Sequence, residues 1–259
     1  MKNLFLLFLL SFIVGCSSTL DFHVPTQSFM TPEVVGETLG FRGQATFSNS
    51  TKFRLASLEQ RAIFSSQIDV STEEGTSKDN VLNATAGLGL GNAVELTYRA
   101  YADSPDLVGG KVQVWGRDGG KREEGLKASL FGGYGEARTD DDSLTASNLN
   151  NGSRTYKSTL DVKSYELGAT VGYRINKFFL TYLSGNFRSS KAEGTLTSNS
   201  NPTVNLSNDA IVRSLQSGLQ INKEKAYILL EGGYAKSIWK GLDPRDDYTL
   251  GISIGLTSI

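Results

Sequence analysis

The sequence is poor in residues on which several common kinds of protein chemistry depend. Its 259 residues include one cysteine, one histidine and five prolines. One cysteine excludes an intramolecular disulfide bond. The net charge of −1 gives no electrostatic basis for binding nucleic acid. After Val14 no apolar run approaches the ~20 residues of a membrane-spanning helix, so the sequence predicts no helical membrane protein.

What the sequence does contain begins with an apolar run from Leu4 to Val14, preceded by Lys2 and followed by Cys16-Ser17-Ser18. This order is that of a secretory signal peptide, and Ile13-Val14-Gly15-Cys16 resembles the lipobox of bacterial lipoproteins. The resemblance implies that residues 1–15 are removed and that Cys16 carries a covalent lipid, with no other cofactor. In enterobacterial lipoproteins a serine after the cysteine goes with sorting to the outer membrane, so the lipoprotein-sorting machinery is an expected partner.

Residues 16–37 are mixed in composition, and we interpret them as a lipidated tether. From residue 38 to 259 the pattern changes to alternation with a period of two, which is typical of strands with one apolar face. In residues 248–257, for example, Tyr248, Ile252 and Leu256 share one face, and Thr249, Ser253 and Thr257 share the other. Ten segments follow this pattern. The apolar face of the segment at 178–189 stays undecided.

The connections between these segments alternate in length, which predicts an antiparallel up-and-down transmembrane β-barrel of about ten strands, with 8 or 12 as alternatives. Long loops are expected at 49–80, 138–161 and 190–208. The candidate strand at 62–70 is assigned to the first of them, because a periplasmic N-terminus demands an even strand count. Facing residues on paired strands must lie on the same face of the sheet, and this parity predicts the pairing across two tight turns. In the first turn Leu90 pairs with Val94. In the second Ile221 pairs with Ala226, which places Gln216 opposite Glu231.

At this point residues 38–258 resemble the small outer-membrane β-barrel proteins, the OmpA/OmpX-like class in the broad sense. Thr249-x-Gly251-x-x-Ile254-x-Leu256 looks like the C-terminal signal read by barrel-assembly machinery, although the chain ends on Ile259 where many members end on an aromatic residue. The resemblance implies location in the bacterial outer membrane, with membrane lipid and the assembly machinery as partners and the N-terminal lipid on the periplasmic side. Apolar-face tyrosines should form girdles, with Tyr134, Tyr165, Tyr234 and Tyr248 near the loop end and Tyr173 near the turn end.

The polar face carries charges that fit a narrow polar lumen, in which opposite charges can pair. They are Arg42, Glu95, Arg99, Lys111, Lys127, Glu166, Arg174 and Glu231. The same alternation also fits a lipid-anchored soluble lipocalin-like binding protein, in which the apolar face points inward. Alternation alone does not distinguish these two orientations.

The sequence predicts no enzyme, and no catalytic, cofactor-binding or metal site. Barrel hydrolases commonly use a histidine near the extracellular rim, whereas His23 lies in the expected tether. The run Asp140-Asp141-Asp142 is interpreted as a solvated loop tip. The predicted function is therefore a structural or surface-interaction role through the long loops, whose partner the sequence does not identify. A narrow small-solute pore is the alternative, although so few strands leave little open lumen.

Overall fold

A computed structural model describes residues 15–61, 68–102, 104–117, 121–148, 152–198 and 203–258. Within these ranges the secondary structure consists of β-strands, and no helix there is long and apolar enough to cross a membrane. Eleven strands form one antiparallel sheet. Their bounds are β1 Gly15–Pro25, β2 Phe41–Arg61, β3 Ile68–Gly89, β4 Val94–Tyr101, β5 Leu107–Trp115, β6 Gly125–Asn148, β7 Gly152–Arg174, β8 Phe179–Ser198, β9 Val204–Lys223, β10 Ala226–Trp239 and β11 Arg245–Thr257.

Strands β2 to β11 close into a ten-stranded barrel. Each pairs with its neighbour in sequence, and the first and last meet through Arg42 with Thr257 up to Phe47 with Ile252. Above Phe47, the edge of β2 that faced β11 pairs instead with β1, from Pro25 opposite Ser50 to Gly15 opposite Gln60. The predicted fold class and the count of ten strands are confirmed.

The barrel is apolar outside and polar inside. Leu167, Leu250 and Ile254 are 61–74% exposed on the outer face, whereas the alternate positions Glu166 and Ser253 are each 1% exposed. An exposed apolar belt of this extent suits lipid rather than water. This orientation excludes the lipocalin-like alternative, which requires an apolar interior. On β8 the outward residues are Phe179, Leu183 and Phe187, which decides the face that alternation left open.

Exposed tyrosines lie at a common height near the loop end. Tyr134 is paired with Tyr165, and Tyr234 is paired with Tyr248, with ring centroids 5.0 Å and 6.3 Å apart. Tyr173 is exposed near the opposite end. The structure thus places all five tyrosines where the girdle prediction expects them.

The expected long loops are largely strand. Beyond the tyrosines three hairpins continue as ribbons, which we call the arms: β2–β3, β6–β7 and β8–β9. The predicted loops at 49–80, 138–161 and 190–208 were therefore wrong in conformation, because backbone pairing persists beyond the membrane. Residues 68–70 belong to β3, whereas 62–67 lie outside the described residues. Asp140 and Asp141 lie within β6, just before a register irregularity, rather than at a loop tip.

The tight turns test the predicted registers. Leu90 N–H donates to the Val94 carbonyl at 2.9 Å, which confirms the first pairing. The second was wrong: Ala226 pairs with Lys223, and Glu231 faces Gly218. The turn is tighter than predicted and uses a left-handed backbone at Glu224, φ 52°.

The predicted tether is the largest correction. Residues 15–25 form β1 at the end of the barrel that carries the arms, not at the end with the tight turns. Residues 26–40, which we call the lumen segment, then descend through the barrel interior to the start of β2. Side chains 26–35 are buried along this path. The aperiodic sequence of this segment predicts a tether, whereas the structure buries it against hydrogen-bonding and charged side chains of the barrel wall.

Candidate functional site

The lumen brings together all eight charges of the polar face. Seven are at most 2% exposed, and the side chain of Arg42 is 12% exposed. Burial of so many charges requires pairing, because each unpaired ion in a low-dielectric interior costs several kcal/mol. The structure adds two buried charges that the sequence did not single out, Glu33 in the lumen segment and Arg188 on β8.

Near the turn end the wall charges bind the lumen segment. Lys111 Nζ lies 3.3 Å from Glu95 Oε2 and donates to the Glu33 carbonyl at 2.7 Å. The Val35 N–H donates to Glu95 Oε2 at 3.0 Å, and Arg42 donates to the Glu33 carbonyl at 3.1 Å. The Glu33 carboxylate forms a two-pronged ion pair with Arg174. The wall cations are therefore partly neutralised by the chain's own N-terminal segment.

A second cluster is centred on Glu166 on β7. Its carboxylate pairs with Arg99 and, at 3.0 Å, with Arg188, and accepts from Asn186 at 3.1 Å. Arg188 also donates to the Tyr101 hydroxyl at 2.7 Å. This cluster is formed by wall residues alone, and it joins β4, β7 and β8 without a contribution from the lumen segment.

Between these clusters an aromatic layer surrounds Phe29 of the lumen segment. Phe29 packs with Tyr182, Tyr227 and neighbouring leucines, and the Tyr182 hydroxyl donates to Glu231 at 3.1 Å. Tyr182 reaches Glu231 by crossing Gly218, where a Cβ atom would stand 2.2 Å from its ring. Within the described residues Glu231 has no ion-pair partner. Lys127 donates to the Gly116 carbonyl at 3.0 Å, at the turn end of the barrel.

The mouth of the barrel is apolar. Phe22 on β1 packs against Phe53 and Trp239, with ring centroids 5.6 Å and 5.1 Å away, and further aliphatic side chains from β7 and β9 surround them. His23 is buried, and its Nδ1 lies 3.2 Å from Ser50 Oγ. The sequence placed His23 in a tether, where a histidine is expected to be solvated; this was wrong because His23 belongs to β1, which covers the mouth.

Of the two buried charges that the sequence did not single out, Arg188 and Glu33, only Arg188 left a trace in the sequence. Arg188 lies in the segment whose faces were undecided, and it shares the inward face with Leu180 and Tyr182. Glu33 lies in an aperiodic stretch and carried no signal. Within the described ranges no group of three or more His, Cys, Asp or Glu side chains stands close enough to hold a metal ion.

Comparisons with known proteins find structural likenesses at low sequence identity. No family model and no curated protein matches the chain. The attachment invasion locus protein Ail of Yersinia pestis is similar over 84% of this chain and 98% of its own, at 14% identity and a TM-score of 0.31. Ail in complex with the heparin analogue sucrose octasulfate covers 85% and 99%, at 12% identity and a TM-score of 0.35. The outer membrane channel DcaP of Acinetobacter baumannii covers 93% and 97%, at 10% identity and a TM-score of 0.19.

The class of this protein follows from its own strand pairing and surface. A closed, even-stranded antiparallel barrel has an outward apolar belt, tyrosine girdles, short turns at one end and long hairpins at the other. The chain is a small outer-membrane β-barrel protein.

Proposed function

We propose that this protein is a non-catalytic surface-interaction barrel, in which the membrane part is a closed support and the arms bind a partner. The observation that carries the proposal is the sheet that stands above the tyrosines. The last pair between β5 and β6 is Val108 with Tyr134, whereas β6 continues to Asn148. Strands β7, β8 and β9 extend beside it.

This sheet leaves one edge of β6 without a ladder partner in the described part of the chain, and β1 lies near part of that edge. Among the described residues, β6 from Gly135 onward has a backbone partner on the β7 side only. An open edge offers unpaired N–H and C=O groups to an extended segment of another chain, a recurring mode of peptide recognition. The irregularity after Asp141 limits how far along the edge such pairing extends.

Cells that display the protein test this proposal. Deleting residues 140–157 shortens the β6–β7 arm, and we expect adherence to a cultured cell monolayer to fall to the level of cells lacking the protein. The matched control shortens the β2–β3 arm by the same number of residues. Both variants must retain the heat-dependent shift in gel mobility of a folded barrel. Undiminished adherence after deletion of residues 140–157, or an equal loss of adherence in the β2–β3 control, would contradict the proposal.

Filling of the lumen supports a closed barrel over the pore alternative. The lumen segment occupies the interior from Thr26, which bonds to Asn49 near the mouth, to Val35, and it leaves the lumen at the turn end, where the exposed Leu39 bonds to Gly89. In planar bilayers we expect the intact protein to give no steady current. A variant lacking residues 16–35 should conduct, since it removes most of the segment and leaves the wall. Steady currents from the intact protein would favour the pore.

We also propose that Cys16 is acylated. The support is the lipobox-like Ile13-Val14-Gly15-Cys16 after an apolar run. Cells fed a labelled fatty acid should incorporate label into the intact chain and not into a Cys16→Ala variant. Equal labelling of the two chains would refute the assignment.

A further inference from the structure

We infer that the N-terminal end of the mature chain is exposed on the cell surface, and that the chain reaches it by passing through its own barrel. In outer-membrane barrels short turns face the periplasm and long hairpins face the outside. Strand β1 lies at the end with the long hairpins: Cys16 is opposite Glu59, and Leu20 is opposite Leu55, both far up the β2 arm.

The lumen segment fixes this direction through contacts at successive heights. At the mouth Gln27 accepts from the Asn49 N–H at 3.3 Å and donates to the Glu231 carbonyl at 3.3 Å. Halfway down, the Ser129 hydroxyl donates to the Thr31 carbonyl at 3.4 Å. Lower still, the Val34 N–H donates to Gln113 Oε1 at 3.1 Å.

Buried charge makes this path specific. The Glu33 carboxylate pairs with Arg174, whose side chain is 0% exposed, so without the segment this guanidinium would lose its carboxylate partner. The Glu95 carboxylate likewise accepts from Val35 N–H. The charged and hydrogen-bonding groups of the wall are therefore complementary to this segment. Such complementarity is expected of a segment that is bound in the lumen, and not of a tether outside the barrel.

The mouth gives independent support. Phe22 and Val24 of β1 are 3% and 1% exposed within an apolar cluster that includes Phe53 and Trp239. Ser104, in the connection between β4 and β5 across the barrel, donates to the His23 carbonyl. With β1 on the periplasmic side, this cluster would be open to water.

An epitope inserted between Ser17 and Ser18 tests the inference. We expect antibody to label intact cells, at the level seen with the same epitope between Gly241 and Leu242 in the β10–β11 connection. The matched negative control carries the epitope between Gly91 and Asn92 in a tight turn, and should be labelled only after the outer membrane is permeabilised.

Each tagged protein must first show the heat-dependent gel shift of a folded barrel. If the insertion after Ser17 prevents folding, the epitope between Cys16 and Ser17 replaces it, because it displaces less of β1. Labelling at the N-terminus only after permeabilisation, together with the Gly91 control, would overturn the inference. This outcome would remove the lumen segment's support for a closed barrel, but it leaves the proposed binding of a partner by the arms standing, because adherence tests that part separately.

Discussion

The ion pair between Glu33 and Arg174 gives the sharpest test of the lumen segment. In Glu33→Gln the side chain keeps its size and loses its charge, and the Arg174 guanidinium stays buried among cationic neighbours. Removing one partner of a buried pair typically costs about 3–5 kcal/mol. At 1.4 kcal/mol per tenfold change, the equilibrium constant for unfolding should rise by about two to almost four orders of magnitude.

The assay is urea unfolding of the protein in lipid vesicles, followed by tryptophan fluorescence. The matched control is Glu37→Gln, since Glu37 is exposed two residues beyond the buried part of the same segment. The double variant Glu33→Gln/Arg174→Met removes both charges and should recover most of the loss. Equal unfolding midpoints for Glu33→Gln and Glu37→Gln would refute the occupied lumen.

Three further predictions address the belt, the aromatic layer and the loop-end rim. Ile252→Arg should lower the free energy of unfolding by about 2–4 kcal/mol because Ile252 lies midway along β11. Tyr248→Arg at the girdle should lower it by about 0–1 kcal/mol. Similar losses for the two variants in vesicle unfolding would contradict the placement of the apolar belt. Gly218→Ala places a Cβ atom against the Tyr182 ring and should lower the free energy of unfolding by about 1–3 kcal/mol. Gly185→Ala should be nearly neutral in the same assay, because the nearest atom to a Cβ at that position is 3.9 Å away. The Tyr134 hydroxyl donates a hydrogen bond to the Glu136 carboxylate, and this bond, with Lys163 nearby, lowers the pKa of the Glu136 carboxyl. The ionised carboxylate therefore stabilises the folded protein above the ordinary carboxyl pKa, and this stabilisation is lost as the pH falls through the lowered pKa. Tyr134→Phe should raise the Glu136 pKa in an NMR titration, and Tyr165→Phe should leave it unchanged. If the Glu136 pKa does not change in Tyr134→Phe, the hydrogen bond from Tyr134 is not what lowers it.

The faces of the barrel could be predicted because alternation depends only on the pleat. Register depends on more. Moving β10 by two residues against β9 keeps every side chain on its face, so parity allowed both Ile221 with Ala226 and the observed Ile221 with Ile228. The deciding feature is a two-residue turn with a left-handed Glu224, a residue type with no preference for that conformation.

The arms were missed for a related reason. Above the girdle the inner face becomes apolar, as at Leu160 and Val162, and the outer face becomes polar, as at Asp161 and Lys163. This reversal ends the pattern by which the transmembrane strands were found, although backbone pairing continues.

The lumen segment lacked any periodic signal. A chain inside a barrel is contacted from all sides, so polar Gln27 and Glu33 and apolar Phe29 are buried alike. Its positive φ at Phe29 also departs from strand geometry. The wall charges predicted pairing with one another across the lumen, and nothing in residues 26–40 indicated that this segment would supply Glu33 as a further partner.

The joint between the first and last barrel strands has a mechanical consequence. Six ladder pairs, Arg42 with Thr257 through Phe47 with Ile252, join β2 to β11, and Ser258 bonds to Phe41 directly below them. Just above them the Leu250 N–H donates to Asn49 Oδ1 at 2.8 Å, and the Asn49 N–H donates to Gln27 Oε1. Gln27 in turn holds β10 through the Glu231 carbonyl. A lateral force that separates β2 from β11 must therefore also break the hydrogen bonds of Gln27. The mechanical strength of the barrel wall thus depends on residues that lie in the lumen.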